Sequence, residues 1–253
     1  MQNELEVPDQ FLFGRRIAIT GAGRGLGRAL AIVAADHGAE TVLLGRDPAI
    51  LNDVADTIKA RSGRGSLVVP CDLAKPDSIA TACAVALDNN PVIDVLINNG
   101  APWLAGSLYE VSDADIISTV AAVSGTILIT KGLLPGLFRS TAADIITIVS
   151  TSGVLSWDLG GGSVPFYAAK HGQSGFSDKL RHELKGTKIR VSAIYPPDFD
   201  DVDPTDSCWS SVPIDGATIS NREIVSAVLF ILTTPRTCSF PVVIMDGMSR
   251  AES

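Results

Sequence analysis

The 253-residue chain holds only four cysteines, Cys71, Cys83, Cys208 and Cys238, and no two of them form a C-x-x-C pair. That spacing excludes the usual zinc and dithiol motifs and leaves the cysteines as small apolar residues of a reducing compartment. Positive charge is also scarce, with 20 Lys and Arg against 28 Asp and Glu and a net charge of −8. Nucleic acid and anionic membranes need basic footprints, so neither is expected as a partner. The first ten residues are acidic and polar with no apolar centre, which excludes a signal or transit peptide within them and points to the cytoplasm. The longest apolar region, Ile116 to Phe138, is broken by Ser118, Ser124, Lys131 and Pro135 and reads as a buried helix rather than a membrane span. A calcium loop is missing as well. The acidic segment with Asp198, Asp200, Asp201, Asp203 and Asp206 has Asp203 and Trp209 where Gly and Glu would be required. No metal is expected, and residues 198–220 read as a solvated lid. Nor does any linker interrupt the chain, and 46% hydrophobic residues suffice for one large core, so residues 1–253 are read as a single domain.

What the chain does have is a repeating order of apolar strand and amphipathic helix. Ile17 to Ile19, Thr41 to Leu44, Leu67 to Val69, Ile93 to Ile97, Ile145 to Val149, Ile189 to Ile194 and Val242 to Met245 are short apolar runs, as expected of strands buried on both faces. Helical patterns separate most of them, one from Leu26 to His37 with Gly38 as its stop, another from Asp47-Pro48 to Ser62 before Gly63. Ser112 with Asp115 opens a long helix with a capping-box pattern. Such alternation predicts an α/β, doubly wound parallel sheet of seven strands, a Rossmann fold.

Between the first strand and the first helix stands Thr20-Gly21-Ala22-Gly23-Arg24-Gly25-Leu26-Gly27. A strand ending in close glycines and passing into a helix brings bare N–H groups and a helix N-terminus up to an anion, most often a diphosphate. The spacing G-x-G-x-x-G fits no register, whereas G-x-x-x-G-x-G fits at Gly21, Gly25 and Gly27. Arg46 ends the second strand, where an acidic residue would suit the ribose of NAD and an arginine the 2′-phosphate of NADP. With Arg24 in the loop, two guanidiniums favour NADP(H), although each alone also reads as a solvated charge.

This loop resembles the cofactor loop of the short-chain dehydrogenase/reductase family, and the resemblance runs from Arg16 to Gly247. It implies that Gly21, Gly23, Arg24, Gly25, Leu26, Gly27 and Arg46 hold the cofactor, with Asp72 and Leu73 at the adenine, Asn98, Asn99 and Gly100 at the adenosine ribose, and Pro196 at the nicotinamide end. Asp72 reads equally well as a helix-capping carboxylate. Asn98-Asn99-Gly100-Ala101 is similar to the family's N-N-A-G turn with its last two residues exchanged, and Tyr195-Pro196-Pro197 stands where the family writes P-G. Ser150, three residues before Gly153, matches the catalytic serine, with Ser152 as the alternative, and Lys170 matches the lysine that holds the ribose and lowers the pKa of a catalytic tyrosine.

Two catalytic positions depart from the pattern. Ala122 stands where the family's relay asparagine would, and Phe166 rather than tyrosine lies four residues before Lys170, with Tyr167 one residue late. Successive helix residues turn by about 100°, so in a regular helix Phe166 and Tyr167 diverge. Tyr167 is expected to serve only if the first helical turn unwinds or tightens, with Phe166 packing where the family's tyrosine ring would lie. The implied activity is hydride transfer between NADP(H) and a small-molecule carbonyl or alcohol, in a homodimer or homotetramer built through the Ser112 and Phe166 helices. The alternative is a catalytically impaired NADP(H)-binding or regulatory protein. The loop containing Trp157 and Asp158, with Trp103, Phe199 and Trp209, would give the substrate mouth an apolar lining.

Overall fold

The computed structural model describes residues 10–155, 161–211 and 219–247. Its elements are β1 (Arg16–Thr20), α1 (Gly25–Asp36), β2 (Glu40–Gly45), α2 (Pro48–Ser62), β3 (Ser66–Pro70), α3 (Pro76–Asn89), β4 (Val95–Asn98), α4 (Asp113–Arg139), β5 (Asp144–Ile148), α5 (Val164–Glu183), β6 (Arg190–Tyr195), β7 (Phe199–Asp200), β8 (Ile219–Ser220), α6 (Asn221–Thr233) and β9 (Val242–Ile244). Seven strands form one parallel sheet in the order β3-β2-β1-β4-β5-β6-β9. This is the doubly wound single domain expected from the alternation. The order reverses between β1 and β4, and ligands of open α/β sheets bind beyond the strand ends at such a point.

Alternate residues of each strand supply opposite faces. Ile17, Ile19 and Leu43 join the core under α1, α2 and α6, whereas Ala18, Val42 and Leu44 join the core under α3, α4 and α5. Both cores are built mainly of aliphatic side chains, which is why the strands read as unbroken apolar runs. The helix ends follow local chemistry. Asp47 caps α2, its Oδ1 accepting from the Ala49 N–H at 2.9 Å, and Gly63 stops it at φ 71°. Ser112 caps α4, its Oγ accepting from the Asp115 N–H at 3.1 Å.

α4 differs from its expected burial. At 27 residues, with a mean hydropathy of 1.6 over its most apolar window, it is long and apolar enough to cross a membrane by length and composition, and only 39% of that window is buried. One face, with Ile129, Leu133 and Leu137, belongs to the core, but Ile117 and Phe138 are exposed. The sequence is apolar on both faces, so periodicity could not tell them apart. Two of the cysteines depart from expectation too: Cys71 and Cys83 are buried, but Cys208 and Cys238 are exposed.

Candidate active site

The loop after β1 is closed in a way that only glycine allows. Gly21 sits at φ 67°, and a Cβ there would lie 2.9 Å from the Gly100 Cα; at Gly27 a Cβ would run into the Gly21 carbonyl oxygen and lie 2.7 Å from Asn99 Nδ2. Thr20, buried at the strand end, ties this loop to the β4 turn. Its hydroxyl accepts from the N–H groups of Asn99 and Gly100, both at 2.9 Å, and the Asn99 amide donates to the Thr20 carbonyl at 3.2 Å. Gly21, Gly25, Gly27, Asn99 and Gly100 thereby form one cradle at the switch point. Gly23 lies on its outer side against Ile50, and Leu73 covers Gly100, its Cδ1 3.0 Å from where a Cβ would be.

Asn98 is turned away, donating through Nδ2 to Thr130 of α4 at 3.0 Å. The Asp72 carboxylate accepts from the Ala74 N–H at 3.1 Å and sits 3.5 Å from Lys75 Nζ, which is the turn-capping arrangement. Arg24 and Arg46 are both exposed. Among the described residues neither side chain makes a hydrogen bond or an ion pair, so both guanidiniums at this rim have donors to spare. A glycine-lined loop, a helix N-terminus and two exposed arginines fit a phosphorylated dinucleotide.

The second half of the site lies at the ends of β5 and β6. Ser150 leaves β5 with its Oγ accepting from the Ser152 N–H at 3.1 Å, and the Thr151 N–H donates to the Pro196 carbonyl at 2.9 Å. Gly153 lets this turn lie against α5, since a Cβ there would be 2.8 Å from the Lys170 carbonyl oxygen. The serine three residues before a glycine is thus held beside the lysine turn. Lys170 is 6% exposed, and desolvation pulls its pKa down to about 8. Its ammonium lies 5.5 Å from the centre of the Phe166 ring, one helical turn back.

The rearranged first turn expected for Tyr167 is not what the structure shows. α5 is regular from its start, with the Tyr167 N–H donating to the Ser163 carbonyl at 3.0 Å, the Ser163 side chain capping Phe166, and Pro165 in the first turn. A capped helix with proline near its start has its backbone set for α geometry, which opposes unwinding. Phe166 is buried beside Lys170, Trp103 meets it edge-on at 4.6 Å, and the Tyr167 ring centre is 6.5 Å away at 80°. Ala122 brings no polar side chain; its carbonyl accepts from the Thr126 hydroxyl at 2.8 Å, which in turn accepts from Gln173 at 3.1 Å. Trp157 and Asp158 lie outside the described residues.

Sequence reasoning missed the roles of Thr20, Ser163 and Asp201. The first two are capping hydroxyls whose partners are backbone atoms, visible only once the turns are formed. Asp201 appeared as one of a run of acids, yet it lies against Gly25.

A family model described as short chain dehydrogenase matches residues 15–209, and the chain belongs to that family of oxidoreductases. An "uncharacterized oxidoreductase" of Staphylococcus aureus (strain MRSA252) is 29% identical over 220 residues, 86% of this chain and 90% of that protein. Dehydrogenase/reductase SDR family member 7B of Mus musculus is 34% identical over 71% of this chain, which spans 56% of that protein. Among solved structures, a metagenomic short-chain oxidoreductase in complex with NADP superposes with a TM-score of 0.78 at 25% identity, covering 94% of this chain and 99% of the other. L-Sorbose reductase from Gluconobacter frateurii, complexed with NADPH and L-sorbose, shares the fold with a TM-score of 0.81 at 23% identity, over 94% of this chain and 97% of the other.

Proposed function

We propose that this protein is an NADP(H)-dependent oxidoreductase acting on a small-molecule carbonyl or alcohol. The observation that carries this reading is the glycine cradle at the sheet's switch point, flanked by two guanidiniums without partners among the described residues. The NADP named with the metagenomic relative points the same way. Gly21, Gly25, Leu26, Gly27, Asn99 and Gly100 would hold the dinucleotide, with Gly23 shaping the loop from its outer side and Asn98 bracing the β4 turn through Thr130; Arg24 and Arg46 would take its 2′-phosphate, Leu73 and the turn that Asp72 caps its adenine, and Lys170 and Pro196 the nicotinamide half. When bound, the nicotinamide supplies or accepts the hydride. Ser150 orients the substrate carbonyl, and the Lys170 charge favours developing negative charge on its oxygen. Tyr167 delivers the proton, which requires the first turn of α5 to open when substrate binds. Residues 198–220 act as the substrate lid.

A second reading is favoured by Phe166 beside Lys170 and by Ala122: an NADP(H)-binding or regulatory protein with impaired catalysis. Carbonyl reduction with NADPH over a panel of aldehydes and ketones separates the two. Native protein is expected to show slow turnover that Tyr167→Phe abolishes, and Phe166→Tyr is expected to raise it by about tenfold or more, the scale of a restored general acid. Undiminished turnover in Tyr167→Phe excludes that tyrosine as the acid. Tight NADPH binding without any turnover assigns the second reading.

A further inference from the structure

The N-terminus of α1 already holds an anion. Arg24, its N-cap residue, supplies no side-chain hydrogen bond. The carboxylate of Asp201, which arrives from the segment after β7, lies there instead, near enough for the Leu26 N–H to favour its charge. The fit is close: a Cβ at Gly25 would lie 2.7 Å from Asp201 Oδ2 and 3.2 Å from Oδ1. Asn221, fully buried at the start of α6, donates to Asp201 Oδ1 at 3.3 Å. It also grips Val202, accepting from its N–H at 3.1 Å and donating to its carbonyl at 2.9 Å. Asp203 is paired at 2.7 Å with Arg28 of α1, which also binds Asp53 of α2 at 2.8 Å. Residues 201–203 are therefore a strap pinned between α1 and α6. It delivers a carboxylate to the place where a helix N-terminus and a glycine-rich loop favour a diphosphate.

We propose that Asp201 is a built-in competitor for the diphosphate subsite, capping α1 in the cofactor-free protein, so that the dinucleotide binds by displacing this carboxylate or by taking up a proton on it. The inference rests on the nucleotide-binding reading above. One N–H cannot serve both anions at full strength, and two negative groups at this distance repel. The outer side of Asp201 is open to solvent, so the strap can yield without disturbing the core.

The charges around Asp201 set the sign of the pH effect. Burial against the loop and the neighbouring Asp200 raise its carboxyl above the ordinary range, against the lowering effect of the hydrogen bonds from Asn221 and Leu26. On α1, Arg28 is committed to Asp203 and Asp53, and Arg24 just before it is exposed; on α6, Arg222 and Glu223 follow Asn221, with Glu223 bonded to Ser220. No cation is paired with Asp201 among the described residues. Cofactor affinity should therefore rise as pH falls through the Asp201 pKa.

Two measurements test this. Without nucleotide, amide hydrogen exchange at Leu26 is compared in native protein and Asp201→Ala. Protection in the native chain, with exchange about tenfold or more faster at Leu26 in the variant and unchanged along β1, is expected; equal exchange overturns the cap. NADPH is then titrated into native protein and Asp201→Asn at about pH 5 and about pH 8, the lower lying nearer the raised carboxyl pKa. The Asn variant keeps an acceptor for Asn221 but no charge. It should bind about tenfold or more tightly than native at the higher pH, with the advantage shrinking at the lower. The cofactor's own phosphate titration is common to both proteins and cancels in the ratio. Equal affinities at both pH values overturn the competitor role while leaving the nucleotide site in place. If neither protein binds NADPH, the nucleotide reading falls and the competitor role with it, whatever Leu26 shows.

Discussion

Lys170 is buried next to a ring that offers no hydroxyl, so the folded state carries its charge at a cost. Its pKa is pulled down to about 8 by desolvation, below the ordinary lysine value. A base with a depressed folded-state pKa destabilises the fold wherever the unfolded chain holds the extra proton. Stability contributed at this position therefore rises as pH increases from about 8 and levels off near the ordinary lysine pKa of about 10.4. We expect cofactor-free Lys170→Met to be more stable than native at neutral pH, with the difference narrowing by a few kcal/mol over that window. Chemical denaturation of both proteins along a pH series checks it, and a constant difference would show that the lysine reaches water. Much at this scale is legible in sequence. Counting back from Lys170 finds Phe166 and exposes the offset tyrosine, and Gly153 selects Ser150. Asp201 is not legible, because its meaning depends on where Asn221 and Arg28 pin the strap.

Among the elements, the unit from β1 through the loop to α1 was the most legible, since its glycines answer backbone contacts that no other residue survives. Strands were found because burial on both faces writes them as plain apolar runs; their ends shifted by a residue or two where polar groups begin the strand, as Asp144 begins β5 and Arg190 begins β6. The outer face of α4 stayed hidden because its side chains are as apolar as the inner ones. The unit also carries a prediction about cofactor choice. Among the described residues Arg24 and Arg46 leave their side-chain donors unused at the rim of the cradle, where a 2′-phosphate could take them up. Arg46→Asp should weaken NADPH binding by a few kcal/mol, through loss of a charge-assisted pair and added repulsion, and leave NADH affected much less. Fluorescence titration with both nucleotides reads the ratio directly. Equal native affinity for the two would remove the basis for the NADP(H) assignment.

On the scale of the whole molecule, exposed Ile117, Val120 and Ile127 on α4 and Val164 on α5 are apolar side chains that a second copy of the chain could cover. We propose assembly as a homodimer or homotetramer through these helices; Ile117→Asp with Ile127→Asp is expected to lower the assembly state in sedimentation velocity, and a native protein already monomeric at micromolar concentration would refute it. The opposite edge of the sheet, at the N-terminal ends of the parallel strands, holds the long-range tie. The Asp144 carboxylate is 1% exposed and meets Arg15 at 2.8 Å, Arg190 at 2.7 Å and Arg236 at 3.0 Å. The surplus positive charge is spread over carbonyl oxygens, Arg15 donating to Ala142, Arg190 to Ile231, Thr234 and Cys238, and Arg236 to Ala143 and Lys188. One buried carboxylate thus joins the entry to β1, the starts of β5 and β6, and the chain beyond α6. Asp144→Asn preserves shape but removes the counter-charge and turns an amide N–H₂ toward groups that only donate. Breaking a buried pair from one side typically costs about 3–5 kcal/mol, and the unfolding midpoint in denaturant should fall accordingly with its slope unchanged. Arg236→Met, at the most exposed of the three arginines, should cost less. NADPH affinity of the folded Asp144→Asn protein should match native, because the cradle lies at the other end of the strands. A loss below about 1 kcal/mol would mean that the carbonyl contacts alone hold the guanidiniums in place, and that Asp144 contributes no more than an exposed ion pair does.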